Sequence, residues 1–248
     1  MTQALFLIPC SGYKNQDGNF QQWNVVRQKP EHNYFRDVLD PYRECLVNFY
    51  ANLPREKANE VYVGGDAERP RNAWLRNRQL LSCRTLCAMK RYRGSLYQQI
   101  DDEVVEGIML GRFSNLLIVS ALFGMIRPTD KIPDYDLMMK DIAPNGTCIY
   151  DYWKSSFEDE EFIKCFENIT KDYEHIFFLM HSYGGYKESV QGLLGKYDSY
   201  YCAGKANLYV EPEKLGRILN IALKDNLCKL EDLRKISGAH QVQIIKFE

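Results

Sequence analysis

An α/β fold, with a largely parallel or mixed central sheet and flanking helices, is predicted from three observations. Residues 115–122 form a continuous apolar run of the kind buried on both faces in a parallel sheet. Residues 4–9 and 175–180 repeat that pattern. Between these runs lie long stretches of helical spacing, and strands alternating with helices favour parallel strands joined by crossovers. The chain has 248 residues, 45% of them apolar, so it can bury one sizeable core. It shows no internal repeat, low-complexity stretch or Pro/Gly/Ser linker, so a single domain over 1–248 is expected.

Each element has its own signal. The run 4–9 ends at Cys10-Ser11-Gly12, which marks a strand entering a loop. Leu39, Leu46, Phe49 and Tyr50 give 34–53 helical spacing, with Pro41 opening or breaking the helix. Residues 60–65 suggest a short strand ending at Gly64-Gly65. Residues 70–92 suggest one helix with Pro70 in its first turn. Residues 147–173 predict one or two helices, and a further helix is expected after Gly184-Gly185. Residues 199–203 and 241–247 fit later strands. Residues 211–226 fit a helix whose apolar stripe is Leu215, Ile218, Leu219 and Ala222.

Composition excludes several classes. The net charge is −1 and large apolar residues are plentiful, which rules out disorder. The longest nearly apolar run, 116–126, falls short of the roughly 20 residues a membrane helix needs. No basic segment precedes the short run 4–9, so a signal peptide is not expected and a soluble, cytoplasmic protein is. The eight cysteines are spread along the chain, which favours reduced thiols. Cys83 and Cys87 have no second pair or histidine partner at ligand spacing, so no metal is expected. Neither a P-loop nor a dinucleotide fingerprint occurs, and no cofactor is expected.

Ligands of open α/β sheets bind outside the carboxyl ends of the strands. Three such ends carry chemistry here: Cys10-Ser11-Gly12-Tyr13-Lys14, Ser120 to Gly124 with Arg127, and His181-Ser182 with Lys187. Their convergence on one crevice is expected, with Lys14, Arg127, Lys187 and Trp153 facing a shared pocket. His181-Ser182-Tyr183-Gly184 has part of a nucleophile elbow, but Met180 replaces its first glycine. Cys10 is the stronger nucleophile candidate, because a nearby lysine favours the thiolate. Asp130, Asp134, Asp136 and Asp141 cluster without the spacing of a calcium loop.

Charge is uneven along the chain. Residues 69–93 hold eight basic residues and no acid, arginine outnumbering lysine seven to one, with Trp74 and Tyr92 interleaved. Such a stretch suits phosphates, with aromatics offering stacking faces. Arg71, Arg76, Arg78, Arg84, Arg91 and Arg93 are therefore expected to contact nucleic acid, together with Arg127 and Lys187.

Several segments follow one another as they do in the YaaA family. They are Arg93-Gly-Ser-Leu-Tyr97, then Ser120-Ala-Leu-Phe-Gly-Met-Ile-Arg-Pro-Thr-Asp130, then Pro133-x-Tyr135-x-Leu137-x-Met139, then Tyr150-Asp-Tyr-Trp153. The flanks at 7–14, 182–187 and 201–219 resemble the family more weakly. The resemblance implies a single α/β domain with a basic cleft, DNA binding and a role in peroxide stress. Lys14, Ser120, Gly124, Arg127, Pro128, Asp130, Tyr135, Tyr150 or Tyr152, Trp153 and Lys187 occupy its motif positions. Gly184 and Phe123 depart from the family's Glu and Tyr, and Cys10 is an addition. The Pro9-Cys10-Ser11 element resembles that of a divergent branch acting in deazaguanine DNA modification, where a nitrile on a DNA base is hydrated to an amide. That resemblance implies duplex DNA with a flipped base as partner and other proteins of a modification system, and the short apolar runs imply no membrane partner. Cys10 would be the nucleophile, Lys14, Asp130 or His181 would move protons, and Ser11, Ser120, Tyr135, Trp153 and Ser182 would line the pocket. The alternative is a DNA-binding protein without turnover.

Overall fold

The computed structural model describes residues 3–28, 35–180, 184–204 and 209–247. In chain order the elements are β1 (Gln3–Pro9), α1 (Trp23–Val26), α2 (Arg36–Ala51), α3 (Ala58–Val61), α4 (Arg69–Asn77), β2 (Leu86–Cys87), α5 (Ala88–Arg91) and α6 (Asp102–Met109). They continue with β3 (Leu116–Ser120), β4 (Gly124–Ile126), β5 (Lys131–Ile132), α7 (Ile149–Phe157), α8 (Glu160–Thr170), β6 (Tyr173–Phe178), α9 (Tyr186–Leu194), β7 (Ser199–Ala203), α10 (Pro212–Lys224), α11 (Leu230–Ala239) and β8 (Gln243–Lys246).

The central sheet has the order β4-β3-β1-β6-β7-β8. Strands β3, β1, β6 and β7 are parallel, and β4 and β8 close the two edges antiparallel. The fold is mixed α/β, as the apolar runs predict. Ala4 to Ile8 and Leu116 to Val119 are almost fully buried, because helices cover both faces of the sheet. The chain places β3 on one side of β1 and β6 on the other, so the carboxyl end of β1 opens at a topological switch point. Cys10 stands there, its amide donating to the Val119 carbonyl at 2.9 Å.

Helix α10 follows its expected stripe, with Leu215, Ile218, Leu219 and Ala222 all buried. The segment 147–173 is two helices, α8 being capped by Asp159, whose side chain accepts from the Glu161 amide. Pro41 lies inside α2 rather than ending it.

Three expectations are corrected. Residues 60–65 are no strand: α3 ends at Val61, and Gly64 and Gly65 turn the chain with φ of 92° and 83°. The helix expected over 70–92 ends at Asn77, whose side chain is drawn to residue 136, donating to its carbonyl at 2.7 Å and accepting from its amide at 2.9 Å. The chain then forms β2, which pairs antiparallel with β5, before the single turn α5. Finally, the strand expected over 115–122 ends at Ser120. The chain folds back at Ala121–Phe123, and β4 returns antiparallel along β3 with Ile126 opposite Ile118. Gly124 makes this return possible: its φ is 64°, and a Cβ there would collide with the ring of Trp153.

Candidate active site

The site is built where β1 ends. Cys10 is buried, and its Sγ lies 3.0 Å from Tyr186 Oη, within hydrogen-bond reach for sulfur. Ser11 accepts from the Tyr13 amide at 3.1 Å, which turns the loop immediately after the strand. The segment Gly94 to Tyr97 packs against this turn. A Cβ at Gly94 would overlap Ser11 Oγ, so a larger residue there would force the Ser11 side chain to turn away. Tyr97 Oη donates to the Pro9 carbonyl at 2.7 Å and ties down the strand end. Together with Leu96, Pro212 and Leu215 these residues enclose a cavity of about 260 Å³ with Cys10 in its wall. Tyr13 stands 81% exposed at the rim, and its carbonyl accepts from the amide of Arg93, itself exposed.

Lys14 lies behind Cys10. Its Nζ is shut off from solvent and has no hydrogen-bond partner, although the residue as a whole is partly exposed. It sits 4.0 Å from the centroid of the Tyr135 ring and 5.7 Å from that of Tyr92. Tyr135 Oη is 2.8 Å from Tyr92 Oη and 2.9 Å from Ser120 Oγ, and Ser120 accepts from the Phe123 amide at 3.1 Å. Burial lowers the Lys14 pKa to about 8, against the opposing pull of Cys10, Asp136 and Asp134. Burial, and next the electrostatic influence of nearby Cys10, hold Tyr92, Tyr135 and Tyr186 well above the ordinary phenol range. These phenols therefore keep their protons, and Tyr186, at 3.0 Å, is the one placed to donate to the Cys10 sulfur.

The lysine makes stability depend on pH in a defined direction. Its pKa in the folded chain lies below the ordinary 10.5, so below pH 8 folding buries a charge at a cost. Between about pH 8 and 10.5 the unfolded chain holds a proton that the folded chain has released, and stability rises with pH. Lys14→Met should accordingly raise the melting temperature at pH 7, by about 1–3 kcal/mol in stability, with the gain fading toward pH 10.5. Circular-dichroism melts across that range check this, and a variant less stable than wild type at pH 7 contradicts it.

Other expected site residues lie elsewhere. Because β4 runs back along β3, Arg127 reaches the amino end of the parallel strands, beside Ser114 and Leu116. It does not share a pocket with Lys14. Asp130 accompanies it there, buried, accepting from the Arg127 amide at 2.9 Å and Nε at 3.3 Å; it braces the turn and stands away from Cys10. Trp153 is fully buried and donates to the Ala121 carbonyl at 2.8 Å, so it supports the β3–β4 turn instead of lining the cavity. Lys187 covers the ring of Tyr201, 3.8 Å from its centroid. His181 and Ser182 lie outside the described residues.

The basic run divides by depth. Arg91 is fully buried and donates to the carbonyls of Asn15, Asp17, Arg84 and Ile132, so it holds loops together and cannot reach phosphate. Arg69 is buried against Asp141. Arg84 is exposed but its Nε donates to the Phe20 carbonyl at 3.1 Å. Arg76 faces Asp134 at 3.5 Å. Arg71, Arg78, Lys90 and Arg93 remain exposed, with Arg78 stacked over Trp74 at 5.0 Å. Tyr97 and Tyr186 are site residues that the sequence reading did not assign to the site, and Tyr92, expected as a stacking face of the basic run, is instead buried beside Lys14. The Gly94-to-Tyr97 segment is the one signal that could have drawn attention to Tyr97.

A family model described as peroxide stress protein YaaA matches residues 5–176. The chain belongs to this family. The match runs from β1 through β6 and so includes Cys10, Lys14, Tyr97, Ser120 and Tyr135, whereas Tyr186 lies beyond it. A UPF0246 protein of Finegoldia magna is similar, 28% identical over 159 residues, which are 61% of each chain. The chain thus spans about three fifths of the length of that relative. No described helix is long and apolar enough to cross a membrane.

Proposed function

We propose that this member of the YaaA family is a thiol-dependent enzyme that modifies a base of DNA, hydrating a nitrile to an amide. The observation that carries the reading is the surrounding of Cys10: a thiol in a cavity wall, a phenol 3.0 Å away and a desolvated lysine behind it. A thiol kept only for packing needs neither partner. The cavity is small and mostly apolar, suited to one planar group, and the exposed Tyr13 and Arg93 at its rim suit the stacking and phosphate contacts of an extruded nucleotide.

The chemistry balances without a cofactor. The Cys10 thiolate attacks the nitrile carbon and forms a C–S bond, while the nitrogen takes a proton from Tyr186 or Lys14 to give a thioimidate. Water adds to that carbon, the C–S bond breaks, and the amide leaves with the thiol restored. Lys14, with its pKa near neutrality, can both give and take the protons that these steps move.

Mass spectrometry of nucleosides from the DNA of cells with and without the gene tests the reading. A base that carries an amide only when the gene is present is expected; identical nucleosides in both would leave DNA binding without turnover. Binding itself should depend on salt. Replacing Arg71, Arg78 and Arg93 by Gln should lower the slope of log affinity against log salt by about 0.9 for each lost phosphate contact on duplex DNA. An unchanged slope would remove these residues from the interface.

A further inference from the structure

The loop after β1 climbs the Cys10 cavity from floor to mouth in three residues. Cys10 is buried, Ser11 is half-buried, and Gly12 and Tyr13 are exposed. Every other described lining residue is buried or half-buried, Leu96, Tyr97, Tyr186 and Leu215 among them. The cavity therefore opens at Gly12 and Tyr13. Its volume of about 260 Å³ lies below the roughly 300–1,000 Å³ of pockets that enclose a drug-sized molecule. It can hold a reacting group, and the rest of the molecule must lie in the mouth.

That mouth has an aromatic wall on one side and no side chain on the other. The Tyr13 ring stands in solvent on a backbone held at its amide by Ser11 Oγ and at its carbonyl by the Arg93 amide. Gly12 is glycine for neither of the usual reasons. Its φ lies outside the left-handed region, unlike those of Gly64, Gly111 and Gly146 at 92°, 75° and 83°. No described atom beyond its chain neighbours lies within 4 Å of the place a Cβ would take, unlike Gly94, whose Cβ would meet Ser11 Oγ. Backbone and packing thus both admit a side chain, and glycine adds to the entropy lost on folding. We infer that Gly12 is the specificity-determining residue of the cavity: its missing side chain leaves room beside the Tyr13 ring for the part of the substrate that stays outside while the reacting group reaches Cys10. The substrate is then a group carried on a larger body. That body, if the base-modification reading on which its identity rests is right, is the deoxyribose of an extruded nucleotide still joined to its strand.

Reach can be measured apart from chemistry. At about pH 9.5 an ordinary thiol is mostly ionised, so the rate of alkylation reports access to the sulfur. Iodoacetamide and N-benzyliodoacetamide carry the same electrophile, the second with a ring that has to lie in the mouth. Both should alkylate Cys10 of the full chain, read on its peptide by mass spectrometry. Gly12→Val should leave the iodoacetamide rate within about threefold and lower the N-benzyl rate at least about tenfold, at an unchanged melting temperature. Gly12→Ala, the smaller change, should act in the same direction with a weaker effect. Equal slowing of both reagents, no slowing of either, or an N-benzyl reagent that never reaches Cys10 in the unaltered chain would overturn the proposal. In cells, Gly12→Val should also lose the amide-bearing base, and its full retention would count against the proposal. If the unaltered chain forms no such base, the base-modification reading fails alone, and the two alkylation rates still decide the role of Gly12.

Discussion

Cys10→Ala should abolish formation of the amide-bearing base while DNA binding and melting temperature stay near wild type. The sulfur is the strongest nucleophile in the cavity wall, and its loss leaves Lys14 and Tyr186 with no adduct to protonate. Cys10→Ser should rescue poorly, because a hydroxyl without an adjacent base is barely ionised at neutral pH. Truncation removes one small side chain, so any loss of stability should be modest. Nucleoside mass spectrometry on cells complemented with each variant reads the outcome. Full activity in Cys10→Ala would remove the thiol from the mechanism.

Arg69→Met should produce the largest loss of stability. Arg69 Nη1 and Nη2 donate to Asp141 Oδ1 and Oδ2 at 2.9 and 2.6 Å, and Nη2 also reaches Asp136 at 3.2 Å. Asp141 is completely buried and further accepts from the amides of Val63 and Met138 at 2.8 and 2.7 Å. One ion pair thus fastens the start of α4 to the loop that carries Tyr135 into the site. Removing the cation leaves a buried carboxylate uncompensated, which costs about 3–5 kcal/mol. Urea denaturation should show a large drop in midpoint, and Arg69→Met with Asp141→Leu should recover part of it, since an apolar pair buries no charge. A single variant as stable as wild type would contradict the role assigned to this pair.

The parallel strands were legible because burial on both faces leaves an unbroken apolar run, and α10 because its stripe keeps a 3.6-residue period. The β3–β4 return was not. Both strands and their turn are apolar, so no change of period marks the reversal, and only Gly124 hints at it. That one missed turn sent Arg127 and Asp130 to the wrong end of the sheet. The basic run misled for a different reason. Charge along the chain shows arginines without neighbours of opposite sign, yet Asp141 and the carbonyls that receive Arg91 come from distant segments. Cys10 and Lys14 could be picked out by their place after the first strand. Their tyrosine partners could not, since the chain has 17 tyrosines, nothing local separates Tyr186 from the rest, and Tyr92 stood out only as part of the basic run.

Whether Cys10 is a working nucleophile can be read without a substrate. Iodoacetamide labelling of the folded chain at pH 7, resolved peptide by peptide, compares it with the seven other cysteines, including the exposed Cys45. Cys10 should be alkylated faster than Cys45 despite its burial, and Lys14→Met should slow that reaction at least tenfold by removing the adjacent cation. A Cys10 that stays unlabelled while Cys45 reacts, or one whose rate ignores Lys14, would contradict a catalytic thiol and leave DNA binding without chemistry.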